Sequence, residues 1–137
     1  MEMKMELEKA PDIQTKIENI VSVLNRKEEY MYLNQFRIIC LRSYKSKARA
    51  YARIWAFPKI WQKALEIGTF YVIEVLAENF DKLSEQEKEK VLVHELLHIP
   101  KTFSGALIDH KNKNRPITKK RVQEVWEEYK KLKEGDF

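Results

Sequence analysis

The sequence is sparing with several residues that would open functional readings. Its one cysteine, Cys40, excludes an internal disulfide, and a place between Ile39 and Leu41 suits a core-facing strand position better than a nucleophile. Three glycines in 137 residues leave no glycine-rich phosphate loop. There are no repeats or low-complexity tracts. No apolar run approaches the ~18 residues of a membrane span, and residues 1–6 lack the charged-then-apolar order of a secretion signal. The expected location is therefore the cytoplasm, with no membrane partner. Histidine is the most unevenly used residue: His94, His98 and His110 are the only three, and all lie within residues 94–110.

Charge is plentiful. Lys and Arg number 26 against 21 Asp and Glu, for a net charge of +5. The bias toward Lys (19) and Glu (17) is of the kind found in hyperthermophile proteins. A 44% hydrophobic share supplies a modest core and excludes a disordered tail, and the length suits one domain spanning residues 1–137. Lys111, Lys113, Arg115, Lys119, Lys120 and Arg121 crowd residues 111–121. Arg42, Lys45, Lys47, Arg49 and Arg53 form a second basic group interleaved with Tyr44 and Tyr51. Either group could offer cations to nucleic-acid phosphates, but a solvated surface in a Lys-rich protein is the favoured reading.

His94-Glu95-Leu96-Leu97-His98 is an HExxH motif. On a helix, residues four apart share a face, so two imidazoles can meet one metal ion with Glu95 beside them. Leu83-Ser84-Glu85-Gln86-Glu87 supplies a capping box that starts the helix, and Pro100 limits its end. Over residues 85–99, Leu92, Val93, Leu96 and Leu97 fall on one side of the wheel. Val91, His94, Glu95 and His98 fall on the other. The first side reads as core and the second as a site.

A catalytic zinc usually takes three protein ligands and a water. His110 is the first choice for the third, since Ser104-Gly105 supplies flexible backbone to turn the chain back. Asp109 remains open as a ligand, or as an acceptor orienting an imidazole. Glu124, Glu127 and Glu128 also remain open. However, the stripe Val122, Val125, Trp126, Tyr129 and Leu132 leaves Glu124 and Glu127 pointing away from the core. Tyr71, Tyr129, Arg115 and Arg53 are all candidates to stabilise an oxyanion.

The remaining pattern has an α+β order. Pro11 opens a helix with the stripe Ile13, Ile17, Ile20, Val21 and Leu24. Strands are expected over 36–42, 51–57 and 70–76, with a polar loop over 43–49 and a short helix over 58–65 ending near Gly68. A C-terminal helix begins near Thr118. The strand over 70–76, just before the metal helix, reads either as an edge for an extended peptide or as an interior strand.

Residues 52–62, 71–75 and 80–84, and the run from His94 through HELLHIPKTFSG to His110, together resemble the SprT-like minimal zincins. They are more closely similar to small metallopeptidase-like proteins of phage and archaeal genomes. The likeness spans roughly residues 36–110. It differs from the metzincin pattern, whose Gly and His positions after the second histidine hold Lys101 and Ser104 here. The resemblance implies a minimal zincin-like fold with a small, mainly antiparallel sheet on the HExxH helix, flanked by N- and C-terminal helices. It also implies one zinc ion held by His94, His98 and His110 and Glu95 as catalytic base; the substrate does not come with the resemblance, and a peptide or protein substrate is what the peptidase reading itself expects. SprT-like relatives include DNA-associated proteases, which gives the basic segment 111–121 a possible nucleic-acid role. Two function classes follow: a zinc peptidase, or a zinc-containing nucleic-acid- or protein-binding module without turnover.

Overall fold

A computed structural model describes residues 6–135; the reading of the N-terminal segment falls largely outside them. Strand β1 (Glu6–Lys9) leads into α1 (Pro11–Leu24), where Pro11 occupies the first turn, at which its missing N–H costs no helical bond. All five stripe residues, Ile13, Ile17, Ile20, Val21 and Leu24, are buried. Strands β2 (Ile38–Tyr44) and β3 (Ala52–Trp55), helix α2 (Lys59–Leu65) and strand β4 (Tyr71–Leu76) follow. One helical turn, α3 (Ala77–Phe80), precedes the motif helix α4 (Glu85–Leu96), and α5 (Lys119–Glu134) closes the fold.

The result is α+β, as expected, around a four-stranded sheet in the order β1-β2-β4-β3. The β1–β2 and β3–β4 pairs are antiparallel, whereas the central β2–β4 pair is parallel, so the sheet is mixed. The parallel pair has a simple origin. Strands β2 and β3 follow each other in the chain but do not pair, because β4 lies between them. Strand β4 is thus interior, which settles the alternative left open for residues 70–76, and the edges are β1 and, beyond β4, β3. Burial agrees: Tyr71, Ile73, Glu74, Val75 and Leu76 are all buried, as a strand covered on both sides should be.

Helices α1 and α4 pack on the sheet against β2 and β3 respectively, and α5 packs across both helices. Cys40 lies in this core, its thiol pushed up to about 12 by burial, which leaves no nucleophile. On the motif helix, Leu92, Val93, Leu96 and Leu97 are buried and face the core, as the wheel predicts. The capping box is present in both directions: the Glu87 N–H donates to Ser84 Oγ at 3.2 Å, and the Ser84 N–H donates to Glu87 Oε1 at 3.3 Å. Glu89, on the same helix, accepts from Trp126 Nε1 (3.2 Å) and the Tyr129 hydroxyl (3.4 Å), tying α4 to α5.

Candidate metal centre

The regular part of α4 stops at Leu96, and the chain continues through a tighter turn in which the His98 and Ile99 N–H groups donate to the carbonyls of Glu95 and Leu96. Tightening the last turn uses up carbonyls that have no partner further along the helix. It also keeps His98 on the face that carries His94, with the two rings stacked at a centroid distance of 5.3 Å.

The loop after Pro100 brings the third imidazole back. Phe103 has positive φ (47°) and packs edge-on against the Tyr71 ring at 5.0 Å. Gly105 follows at φ +97°, where a Cβ would stand 2.2 Å from the Phe57 carbonyl oxygen, so only glycine fits. The Gly105 N–H donates to the Tyr71 hydroxyl, which itself donates to the Ala106 carbonyl, both at 2.8 Å. The Phe57 N–H donates to the Gly105 carbonyl at 3.1 Å, which ties the loop to the chain beyond β3. The path then crosses His98 itself. The Ile108 N–H donates to the His98 carbonyl (2.7 Å), and His98 Nδ1 lies 2.6 Å from the Ile108 carbonyl oxygen, the distance of a ring N–H donating to it. That contact fixes the tautomer and leaves Nε2 of His98 free with a lone pair.

Ring nitrogens of His94, His98 and His110, a group that could hold a metal ion, all lie within 4.8 Å of one another, with Nε2 of His94 and of His110 2.9 Å apart. Nitrogens around a tetrahedral ion at ~2.0–2.1 Å bond lengths stand about 3.3 Å apart, a spacing that lies between the 2.9 Å of the His94–His110 pair and the 4.8 Å limit of the cluster. Burial lowers the His94 pKa to about 4, assisted by repulsion from His98 and His110; burial also lowers that of His98. Both rings are therefore neutral at neutral pH, the form that binds a cation.

Glu95 is 7% exposed, and burial raises its pKa to about 8 against the opposing pull of the Ile54 N–H on β3. It and the three histidines line a cleft of about 430 Å³ whose opposite wall is the stretch from Ala50 to Ile54. Among the described residues β3 pairs with β4 alone, so its outer edge carries no strand along this cleft, with the Ile54 N–H turned to Glu95.

The other candidates fall elsewhere. Glu124 and Glu127 are exposed, and Glu128 accepts from the Tyr30 hydroxyl at 2.9 Å and pairs with Lys27. Asp109 is exposed, and the acceptor role considered for it belongs to the Ile108 carbonyl. Of the oxyanion candidates, Tyr71 is spent on the loop and Tyr129 on Glu89. Arg53 donates to the buried carboxylate of Glu74 through Nε (2.8 Å) and Nη2 (3.3 Å). Desolvation acts to raise the Glu74 pKa, but hydrogen bonds led by Arg53 outweigh it and hold the group below its usual value. Sequence reasoning missed Tyr51, half-exposed at the cleft mouth; it would have needed the knowledge that β3, not β4, is the edge. The basic clusters also lose members to internal partners: Arg42 pairs with Asp12 and Asp81, and Arg121 donates to the Arg115 and Pro116 carbonyls.

A family model described as "Putative phage metallopeptidase" matches residues 5–134, nearly the whole chain. The chain belongs to that family. No curated protein and no solved structure matches it. Membership in a metallopeptidase family and a cluster of three histidines that could hold a metal ion thus coincide in one cleft. Among the described residues no helix is long and apolar enough to cross a membrane.

Proposed function

We propose that the protein is a zinc-dependent peptidase with SprT-like chemistry, binding one zinc ion per chain through His94, His98 and His110 and using Glu95 as general base. The observation that carries this reading is the convergence of three imidazoles beside a buried carboxylate, in a cleft walled by a free strand edge. The donor set fits the ion: three imidazole ligands, one of them oriented by a backbone carbonyl, leave room for a fourth position as catalytic zinc sites require. Bound there, zinc would supply Lewis acidity toward a carbonyl and would lower the pKa of a water to ~7.

The chain's own groups do the rest. A bound cation would favour the ionised form of Glu95 over the protonated form that burial favours in the metal-free protein, and that carboxylate accepts a proton from the attacking water and delivers it to the leaving amine nitrogen. The free edge of β3 lets an extended substrate add as a further strand, with main-chain hydrogen bonds placing the scissile bond over the histidines. The alternative, a zinc-containing nucleic-acid- or protein-binding module without turnover, leaves the desolvated Glu95 without a role, because a structural site has no use for a base beside the metal. The test joins metal analysis to hydrolysis. Purified protein should hold near one zinc per chain and cleave an unfolded protein, with both properties lost in His94→Ala or His98→Ala. Full zinc retention in the His98 variant, or no cleavage by the zinc-loaded wild type, would refute it.

A further inference from the structure

Helix α2 carries large apolar side chains on a face that the fold leaves in water. Gln62 is the one residue of α2 that is not exposed, and it anchors the helix by donating to the Phe57 and Ser104 carbonyls at 2.9 and 3.0 Å. Ile60 is 75% exposed, Trp61 57% and Leu65 54%, and Ile67 just beyond the helix is exposed as well. Seven residues are too few to hold a helix on backbone hydrogen bonds alone, since short helices draw their stability from an apolar face packed on a partner. At about 100° per residue, Ile60, Trp61, Ala64 and Leu65 form one apolar arc, flanked by Lys59 and Lys63.

The sequence of α2 complements its own reverse. In the antiparallel register that sets Lys59 opposite Glu66, Ile60 meets Leu65 and Trp61 meets Ala64, so a cation faces an anion and a large ring lies over a small side chain. A twofold axis across the helix produces each of these contacts twice. The charges are available: among the described residues neither Lys59, Lys63 nor Glu66 enters an ion pair within the chain. Area points the same way. Exposed Phe36 borders the patch, because its neighbour Arg37 packs against Gly68 and over the Phe70 ring. Side chains of this size at half exposure leave on the order of 100 Å² each, so the patch supplies more than half of the ~800 Å² per partner that a stable dimer buries.

We infer that α2 is the centre of a twofold interface with a second copy of this chain, packing antiparallel on the partner's α2 with Lys59 paired to the partner's Glu66. No residue of α2 lines the metal cleft, so both clefts stay open in the dimer. The inference stands apart from the peptidase reading. An anionic lipid surface would also take an apolar arc with lysines, but it would set Glu66 among like charges and make no use of Ala64 opposite Trp61.

Sedimentation velocity on the intact chain tests it. The wild type should run at twice its 16.5 kDa mass at micromolar concentration. Ile60→Glu and Trp61→Ser should be monomeric there with unchanged circular dichroism, since both positions are exposed in the single chain. Charge reversal tests the orientation. Lys59→Glu or Glu66→Lys alone should weaken the dimer on the order of tenfold, because the axis applies each like-charge contact twice, and the two together should return to within a few fold of wild type. Each reversal suits its end of the helix dipole, so α2 itself is kept. A wild type that stays monomeric, a dimer untouched by Ile60→Glu and Trp61→Ser, or no recovery in the double reversal would each overturn the interface. So would a monomer that binds vesicles of equal phosphatidylcholine and phosphatidylglycerol and loses them in Trp61→Ser, which would assign the patch to lipid.

Discussion

At the scale of single residues, the centre depends on groups held in costly states. Glu95 ionises near pH 4.5 in an unfolded chain but only at about 8 when buried. Between those values the folded, metal-free protein keeps a proton that the unfolded chain has released, so this group's contribution makes the protein less stable as pH rises. Glu95→Gln removes the titration. In chelator, its melting temperature should exceed that of the wild type by a margin that grows from about pH 5 to about pH 8, the His94 and His98 titrations being common to both proteins. A margin independent of pH, followed by circular dichroism, would contradict the desolvated carboxylate. Tyr51 makes the complementary case. It lines the cleft at half exposure, and the neighbouring Arg53 is committed to Glu74. Tyr51→Phe should therefore lower kcat by about 10²-fold with KM and zinc content little changed, if it stabilises developing charge. Unchanged kcat would reduce it to a wall of the cleft.

At the scale of elements, the ligand loop matters most. Tyr71 and Gly105 hold the turn that returns His110 to the motif helix. Gly105→Ala forces a Cβ against the Phe57 carbonyl and should weaken zinc binding by roughly tenfold or more, as loss of a supporting contact commonly does. Competition with a chromophoric chelator measures this directly, and wild-type affinity in the variant would show that the loop adapts. How legible each element was follows from the same physics. The motif helix could be read outright, because a capping box, an apolar back and a terminating proline agreed. Helix α1 was legible from Pro11 and its isoleucine stripe. Strand β1 was not: all four of its residues are exposed, so no alternation announces it. Helix α2 was legible as a helix, yet Ile60, Trp61 and Leu65 stay exposed, and Gln62 ties it to the Phe57 and Ser104 carbonyls. The orientation of His98 was also hidden from sequence, since its partner is a backbone carbonyl, a group every residue carries.

At the scale of the molecule, strand order is what spacing along the chain could not reveal. The polar loop after β2 reads naturally as a link between neighbours, but the long-range pairing of β4 with both β2 and β3 overrides it and moves the free edge to β3. That one change carries the functional geometry: Ile54 comes beside Glu95, Tyr51 reaches the cleft mouth, and Arg53 turns to the buried Glu74 on the sheet's other face. Net charge proved less informative than its distribution, since Arg42, Arg53 and Arg121 are consumed within the fold. The most direct measurement of the central claim is hydrolysis of an unfolded protein by wild type and Glu95→Gln, with zinc content determined on the same samples. The account predicts about one zinc per chain in both, and a loss of at least about 10²-fold in hydrolysis for the variant, whose amide keeps the shape but cannot take the proton. Equal rates at equal zinc content would contradict it.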